Sequence, residues 1–293
     1  MPVNHNERRL SATLRKRILF VTGSMGRGGA ERVISLLSDY YVNKGYKVDI
    51  LLLLHSNASG YRLNPNVGII DISNDTRKAL LDIPRLIIVT RKILRKVNPD
   101  TIVCFMAQNI LITGLANLGL HYKLIVSERI DPAAVKRNFL FKLILNRIYA
   151  TCDKTIFQTK RARSYFPKKV QANSVIIPNP VSVECFAKDT PVPKIVTAGR
   201  LTEQKNQALL INAFFNIVKV HPEFELYIYG VGPQKEALES LINNLGLNET
   251  VRLMGNSDHL HKDISDASLF VLPSNFEGLS NVLLESMMMG IPT

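Results

Sequence analysis

Short, nearly unbroken apolar runs alternate along the chain with longer segments whose apolar residues recur every three or four positions. "RILFVT" (17–22) predicts a strand, and "AERVISLLSDYYVNKG" a helix closed by Gly45. "KVDILLLL", "TIVCF" (101–105), "KLIVS" (123–127) and "KTIFQ" (154–158) predict further strands, separated by helical stretches such as 77–97 and 133–149. Strands that read as continuous apolar runs belong to a parallel sheet covered on both faces. The alternation pauses at "IPNPVSVECFAKDTPVP", where Pro178, Pro180, Pro191 and Pro193 flank a polar stretch, and this predicts a linker. It then restarts with "KIVTAG", a helix over 204–219, "FELYIYG", a helix over 234–245, "VRLMG", a short helix near 258–266, "SLFVLP" and a last helix, Val282–Met289. The pattern predicts an α/β protein of two doubly wound domains in tandem. A basic tail (1–16) precedes a first domain (17–180), and a linker (181–192) leads to a second (193–293). There is no internal repeat and no low-complexity segment.

Length and composition agree with this picture. The 293 residues suffice for two ordinary domains, and 46% apolar residues suffice for their cores. Three scattered cysteines, Cys104, Cys152 and Cys185, argue for a reducing compartment and against a disulfide framework or a zinc site. The apolar run after the basic N-terminus is too short for a signal peptide, and no run is long enough to span a bilayer. Charge separates the two halves. Residues 1–180 hold 29 Lys and Arg against 11 Asp and Glu, and residues 181–293 hold 8 against 13, so the whole basic excess lies in the first half. A basic half fits an anionic membrane face, nucleic acid, or simply a solvated surface. Nucleic acid is the weakest of these, because the basic positions sit mostly on helices between apolar strands, without interleaved aromatics.

Three strand-to-helix turns carry candidate chemistry. "TGSMGRGGAER" lacks the dinucleotide G-x-G-x-x-G spacing, but Gly28 and Gly29 would let backbone approach an anion at a helix start. "AGRLTEQKNQALL" (198–210) places Arg200 and Lys205 directly after a strand, at the edge where doubly wound domains bind ligands. A planar fork and a point charge together suit a diphosphate. "EGLSNVLLE" is the third turn. Glu277 stands at the crevice edge, Gly278 permits close approach, and Leu279, Ser280 and Asn281 would offer backbone N–H groups to a phosphate. Glu285, among Leu283, Leu284 and Met288, would need a partner such as ribose hydroxyls. "DHLHKD" (258–263) has metal-ligand residue types, but on a short exposed helix it reads as solvated polar residues.

"GRLTEQKN", "YGVGP" and "EGLSNVLLESMMMGIP", in this order, resemble the retaining GT-B glycosyltransferases of family 4, with Glu277 and Glu285 matching that family's E-x7-E motif. "GSMGRGGAERV" and "SERIDP" resemble members that build capsular polysaccharide, exopolysaccharide or lipid-linked oligosaccharide in bacteria. The resemblance covers essentially the whole chain. It implies a GT-B fold and transfer of a sugar from a nucleotide diphosphate donor, UDP-linked, to a saccharide or lipid-diphosphate-linked acceptor. Arg200 and Lys205 would hold and stabilise the diphosphate, Glu277 the donor sugar and Glu285 the ribose. Gly28, Gly29 and Gly232, with the 278–281 turn, would complete the donor site. No metal or other cofactor is implied, and there is no D-x-D motif. The enzyme would work in the cytoplasm at the inner face of the membrane, with no nucleic acid partner.

The resemblance also implies βα structure beyond "GIPT" and a closing helix, so the chain is expected to be truncated, with an incomplete and looser second domain. Two other readings stay open: a remnant that binds nucleotide-sugar without transferring it, and a GT-B sugar-nucleotide epimerase. The latter would need proton-transfer histidines, and the sequence places none at a strand end near the motifs.

Overall fold

The computed structural model describes residues 16–26, 28–54, 60–72, 83–132, 135 and 138–293. The expected basic tail up to residue 15 and the start of each expected helix over 77–97 and 133–149 lie outside these residues. The chain divides into two compact units, Met1–Pro178 and Asn179–Thr293.

Among the described residues, the first unit is built on a seven-stranded parallel sheet. Its strands are β1 (Arg17–Thr22), β2 (Lys47–Leu52), β3 (Gly68–Asp71), β4 (Thr101–Phe105), β5 (Lys123–Ser127), β6 (Lys154–Phe157) and β7 (Ser174–Ile176), in spatial order β3-β2-β1-β4-β5-β6-β7. The order reverses between β1 and β4, which marks the topological switch point. The continuous apolar run of β1 has a physical reason. Alternate side chains leave a strand on opposite faces, and here Leu19 and Val21 enter one buried cluster while Ile18 and Phe20 enter another. Edge strands β3 and β7 are only partly buried and contain no fully buried residue. They lack the apolar run of a central strand, which is why the sequence pattern passes over them.

The helices of this unit show one apolar stripe each. In α1 (Gly29–Asn43) the buried residues include Ala30, Val33 and Ile34. In α2 (Ile83–Val97) they are Leu86, Thr90, Leu94 and Val97, the spacing of one helix face. Then come α3 (Ala107–Ala116), α4 (Phe139–Thr151), α5 (Lys160–Ser164) and α6 (Lys168–Ala172). Asn138 caps α4 by accepting from the Phe141 N–H. Helix α4 buries Leu145, Ile148 and Tyr149 but exposes Phe139, Leu140 and Leu143 in its first turns.

The second unit carries a four-stranded parallel sheet of β8 (Val192–Ala198), β9 (Glu225–Tyr229), β10 (Val251–Gly255) and β11 (Ala267–Phe270), in order β10-β9-β8-β11. Its switch point falls between β8 and β11. Helices α7 (Gln207–Ile217), α8 (Lys235–Asn244), α9 (Leu260–Ile264) and α10 (Asn281–Met289) connect the strands. Leu226 and Ile228 of β9 face one core cluster and Tyr227 and Tyr229 the other. Helix α10 ends at Gly290, whose φ of 91° suits glycine at a helix C-terminus. The chain then returns to the sheet, and the Phe270 N–H donates to the Pro292 carbonyl at 2.8 Å.

Candidate active site

The loops after β8 and β11 meet at the second sheet's switch point, held by a mesh of side-chain and backbone hydrogen bonds. The Asn275 N–H donates to the Gln204 carbonyl (2.9 Å) and the Asn275 amide to the Glu203 carbonyl (2.8 Å). The Asn206 amide donates to Asn275 Oδ1 (2.9 Å), and the Gln204 amide to the Phe276 carbonyl (3.1 Å). These bonds bring Lys205 to Glu277. Lys205 Nζ lies 2.5 Å from Glu277 Oε1, which also accepts from the Ser274 hydroxyl at 2.7 Å. The Lys205 stem packs on Gly199, where a Cβ would stand 3.2 Å from Lys205 Cε. Arg200 is exposed, and its carbonyl accepts from the buried Gln207 amide at 3.0 Å. The site thus presents an exposed guanidinium, a paired ammonium and a carboxylate on two adjoining loops.

A third loop closes against the first, backbone to backbone. The Gly199 N–H donates to the Tyr229 carbonyl (3.0 Å) and the Leu201 N–H to the Val231 carbonyl (3.1 Å). This approach is why "YGVGP" carries two glycines. A Cβ on Gly230, whose φ is 133°, would lie 2.0 Å from the Gly199 carbonyl oxygen, and one on Gly232 would lie 2.3 Å from that of Leu201. Burial pushes the neighbouring Tyr229 phenol up to about 12, which keeps it neutral and a hydrogen-bond donor.

Glu277 and Gly278 lead into α10, whose N-cap Ser280 makes no side-chain capping bond. Asn179 reaches this turn from the start of the unit: its amide donates to the Leu279 carbonyl (3.1 Å) and to Asn281 Oδ1 (2.5 Å). Glu285 is buried, only 3% exposed. Two expectations need correcting here. Met288 is half exposed and lies outside the apolar cluster that Met289 joins. "DHLHKD" is not uniformly solvated, because His261 is buried on α9 and its Nε2 lies 3.2 Å from Glu285 Oε2. A histidine does therefore stand beside the motif. Sequence reasoning missed it because α9 has five residues, too few to show a periodicity that would put His261 inward.

In the first unit, Gly28 is the N-cap of α1 and its carbonyl accepts from the Tyr61 hydroxyl at 3.2 Å. A Cβ there would meet Glu31 Oε2. Gly29 opens the helix. A separate polar cluster gathers at the ends of β4 and β5. Glu128, nearly fully buried, accepts from the Tyr149 hydroxyl at 2.7 Å. The Arg129 guanidinium lies 4.9 Å over the Phe105 ring, and burial lowers it to about 10. The buried Asn109 Oδ1 and Ser127 Oγ have no hydrogen-bond partner among the described residues. No group of three or more His, Cys, Asp or Glu side chains comes together as a metal site among the described residues.

Two parallel sheets in tandem, with a cationic loop at the switch point of the second, are the architecture of the GT-B glycosyltransferases. Residues 27–184 match the family described as Glycosyltransferase Family 4, and residues 192–293 match Glycosyl transferases group 1. The chain belongs to glycosyltransferase family 4. It is 28% identical over 287 residues to the Campylobacter jejuni N-acetylgalactosamine-N,N'-diacetylbacillosaminyl-diphospho-undecaprenol 4-alpha-N-acetylgalactosaminyltransferase, a match covering 90% of this chain and 76% of that protein. Among solved structures, sucrose-phosphate synthase from Thermosynechococcus elongatus superposes with a TM-score of 0.79 at 17% identity, covering 95% of this chain and 80% of that one. The Anabaena protein HepE, in complex with UDP and glucose, gives 0.74 at 16% identity over 94% and 79%.

Proposed function

We propose that the chain moves a sugar, with retention, from a UDP-sugar to a saccharide or lipid-diphosphate-linked acceptor during assembly of a surface polysaccharide or oligosaccharide. The observation that carries this is the Lys205–Glu277 pair at the second sheet's switch point, beside Arg200 and ahead of the uncapped start of α10. Arg200 and Lys205 bind the donor diphosphate and meet the charge that grows on it as the glycosidic bond breaks. The amides of Leu279, Ser280 and Asn281 add the positive end of the helix. Glu277 takes hydroxyls of the donor sugar, and Glu285 the ribose. Gly232 keeps the third loop close to the first, and Gly278 admits the donor to the turn. Gly28 and Gly29 provide backbone for an anion at the start of α1.

The second unit is then the nucleotide-sugar side and the first the acceptor side. The HepE structure holds UDP, and the Campylobacter relative is named for a diphospho-undecaprenol substrate. Both support this choice of donor and acceptor. No helix among the described residues is long and apolar enough to cross a membrane. The basic first half and the exposed Phe139, Leu140 and Leu143 of α4 suit peripheral attachment to an anionic membrane face. No nucleic acid is involved. Radiolabelled transfer from a panel of UDP-sugars onto membrane lipid extract tests the reading. Label reaching lipid from at least one UDP-sugar supports it, and none from any, with UDP unbound by calorimetry, refutes it.

A further inference from the structure

The buried pair of Glu285 and His261 has a third member. A carboxylate taken out of water needs a hydrogen-bond partner, and Glu285 Oε2 finds His261 Nε2 at 3.2 Å. The other ring nitrogen, Nδ1, lies 3.2 Å from the backbone nitrogen of Glu184. A backbone amide can only donate, so Nδ1 accepts. The imidazole proton then sits on Nε2, directed at the carboxylate. The tautomer of a ring so placed is set by the bond its second nitrogen makes.

Glu184 belongs to the stretch between the two sheets, and this stretch is stitched onto α9 and α10. The Ala187 N–H donates to the Met289 carbonyl (2.8 Å) and the Lys188 N–H to the Ser265 carbonyl (2.7 Å). Val183, Cys185 and Ala187 pack on the same apolar cluster as Met289. The backbone of 183–188 is therefore a fixed support for the His261 ring.

We propose that His261 is a positioning residue for the donor nucleotide. Fixed by the Glu184 N–H, it donates to Glu285 and holds that carboxylate in the one orientation from which it accepts ribose hydroxyls. This rests on the reading of Glu285 as the ribose-binding group. The inter-sheet stretch, which contains none of the motif residues, thereby becomes part of the donor site.

The test compares binding of UDP and of inorganic pyrophosphate by calorimetry on the full chain, in His261→Leu, His261→Gln and Glu285→Ala. A ribose contact is felt by UDP and not by pyrophosphate. The expected result is that His261→Leu weakens UDP about tenfold, the size of losing one hydrogen bond to a charged group, and leaves pyrophosphate unchanged. The glutamine amide can donate from near the Nε2 position, so His261→Gln restores UDP affinity to within about twofold. Equal weakening of both ligands would show a purely structural role and overturn the proposal. Wild-type UDP affinity in His261→Leu, with loss in Glu285→Ala, overturns it while leaving the Glu285 reading intact. Wild-type affinity in both variants overturns both. Nitrogen-15 spectra of the wild-type histidines decide the matter even if the leucine variant fails to fold, because a proton on Nδ1 of His261 is incompatible with the proposal and one on Nε2 supports it.

Discussion

Replacing Gly232 by alanine places a methyl group where backbone already stands. Its Cβ would lie 2.3, 2.7 and 2.8 Å from the oxygen, nitrogen and carbonyl carbon of Leu201, each roughly 1 Å short of an ordinary contact. Leu201 cannot withdraw easily. Its side chain is buried in the core, its N–H donates to the Val231 carbonyl, and its own carbonyl accepts from the Gln234 N–H, both at 3.1 Å. Separating the loops loses those two bonds at about 1 kcal/mol each and adds about 1–3 kcal/mol of overpacking. The expected cost is about 3–5 kcal/mol, a large part of a stability of about 5–15 kcal/mol. It also moves Gly199 and Arg200, so the surviving folded protein binds UDP more weakly. Gly246→Ala is the control: its φ is 67°, but its Cβ meets nothing within 4 Å, so only backbone strain of about 1–2 kcal/mol applies. The chain has no tryptophan and nine tyrosines, so tyrosine fluorescence in urea, with Tyr227 and Tyr229 on β9, follows unfolding. Equal urea midpoints for Gly232→Ala and wild type, with equal UDP affinity, would refute the backbone-contact argument.

Arg200→Ala and Lys205→Ala should each weaken UDP binding and lower transfer further, by about 10²–10³-fold, because leaving-group charge grows in the transition state. A variant of either that binds and turns over normally ends the diphosphate assignment. Glu277→Gln should keep UDP affinity, since the amide oxygen still holds Lys205 in place while the competing anion is gone, yet lower transfer at least tenfold; calorimetry beside a transfer assay separates the two. The basic half should carry the protein onto anionic vesicles at low salt and release it at high salt, where screening shortens to a few ångströms; equal flotation with neutral lipid counts against this. Burial pushes the Cys104 thiol from 9.0 up to about 12. Between those values the unfolded chain gives up a proton that the folded chain keeps, so this residue lowers stability as pH rises above 9.0. Alkylation followed by mass spectrometry should modify the partly exposed Cys185 first and Cys104 only with unfolding.

The parts of the fold that were legible in the sequence are those where burial dictates residue type. Central strands β1, β2, β4, β5 and β8 announce themselves because both faces are covered. Strands β3 and β7 do not, since their exposed edge relaxes that requirement. The same contrast holds in the site. Arg200, Lys205 and Glu277 stand out because charged residues in the loops after apolar strands need a reason, whereas Gly232 enters only through the resemblance that "YGVGP" carries, and the steric contact it answers shows only in the fold. Asn275, Asn206 and Gln204, which bind the two loops together, leave no such signal: asparagine and glutamine in a turn are ordinary, and their bonds run to groups about 70 residues away. Asn179 and His261 were hidden for the same reason. A buried polar pair is a fact about two distant segments, and no local pattern encodes it.

The two cations of the switch-point loop are prepared differently, and the difference bears on how the site works. Arg200 is exposed and meets a ligand from solvent, with a planar fork that needs little ordering per hydrogen bond. Lysine carries about 2 kcal/mol of rotamer entropy, and Lys205 has already given much of it up. Its stem lies on Gly199 and its ammonium on Glu277, with 16% of the side chain exposed. Glu277 therefore does for Lys205 what no ligand has to do on arrival, namely hold a flexible cation at the end of β8. On the proposed reading, a donor that brings a diphosphate would share a cation already in place, and the carboxylate that loses part of that cation would be left able to accept from a sugar hydroxyl. Pairing the two charges in advance would, on that reading, couple diphosphate binding to sugar binding. It also explains why the loops carrying them are laced together by Asn275 and Gln204: without that lacing the pair would form at the expense of the loop geometry.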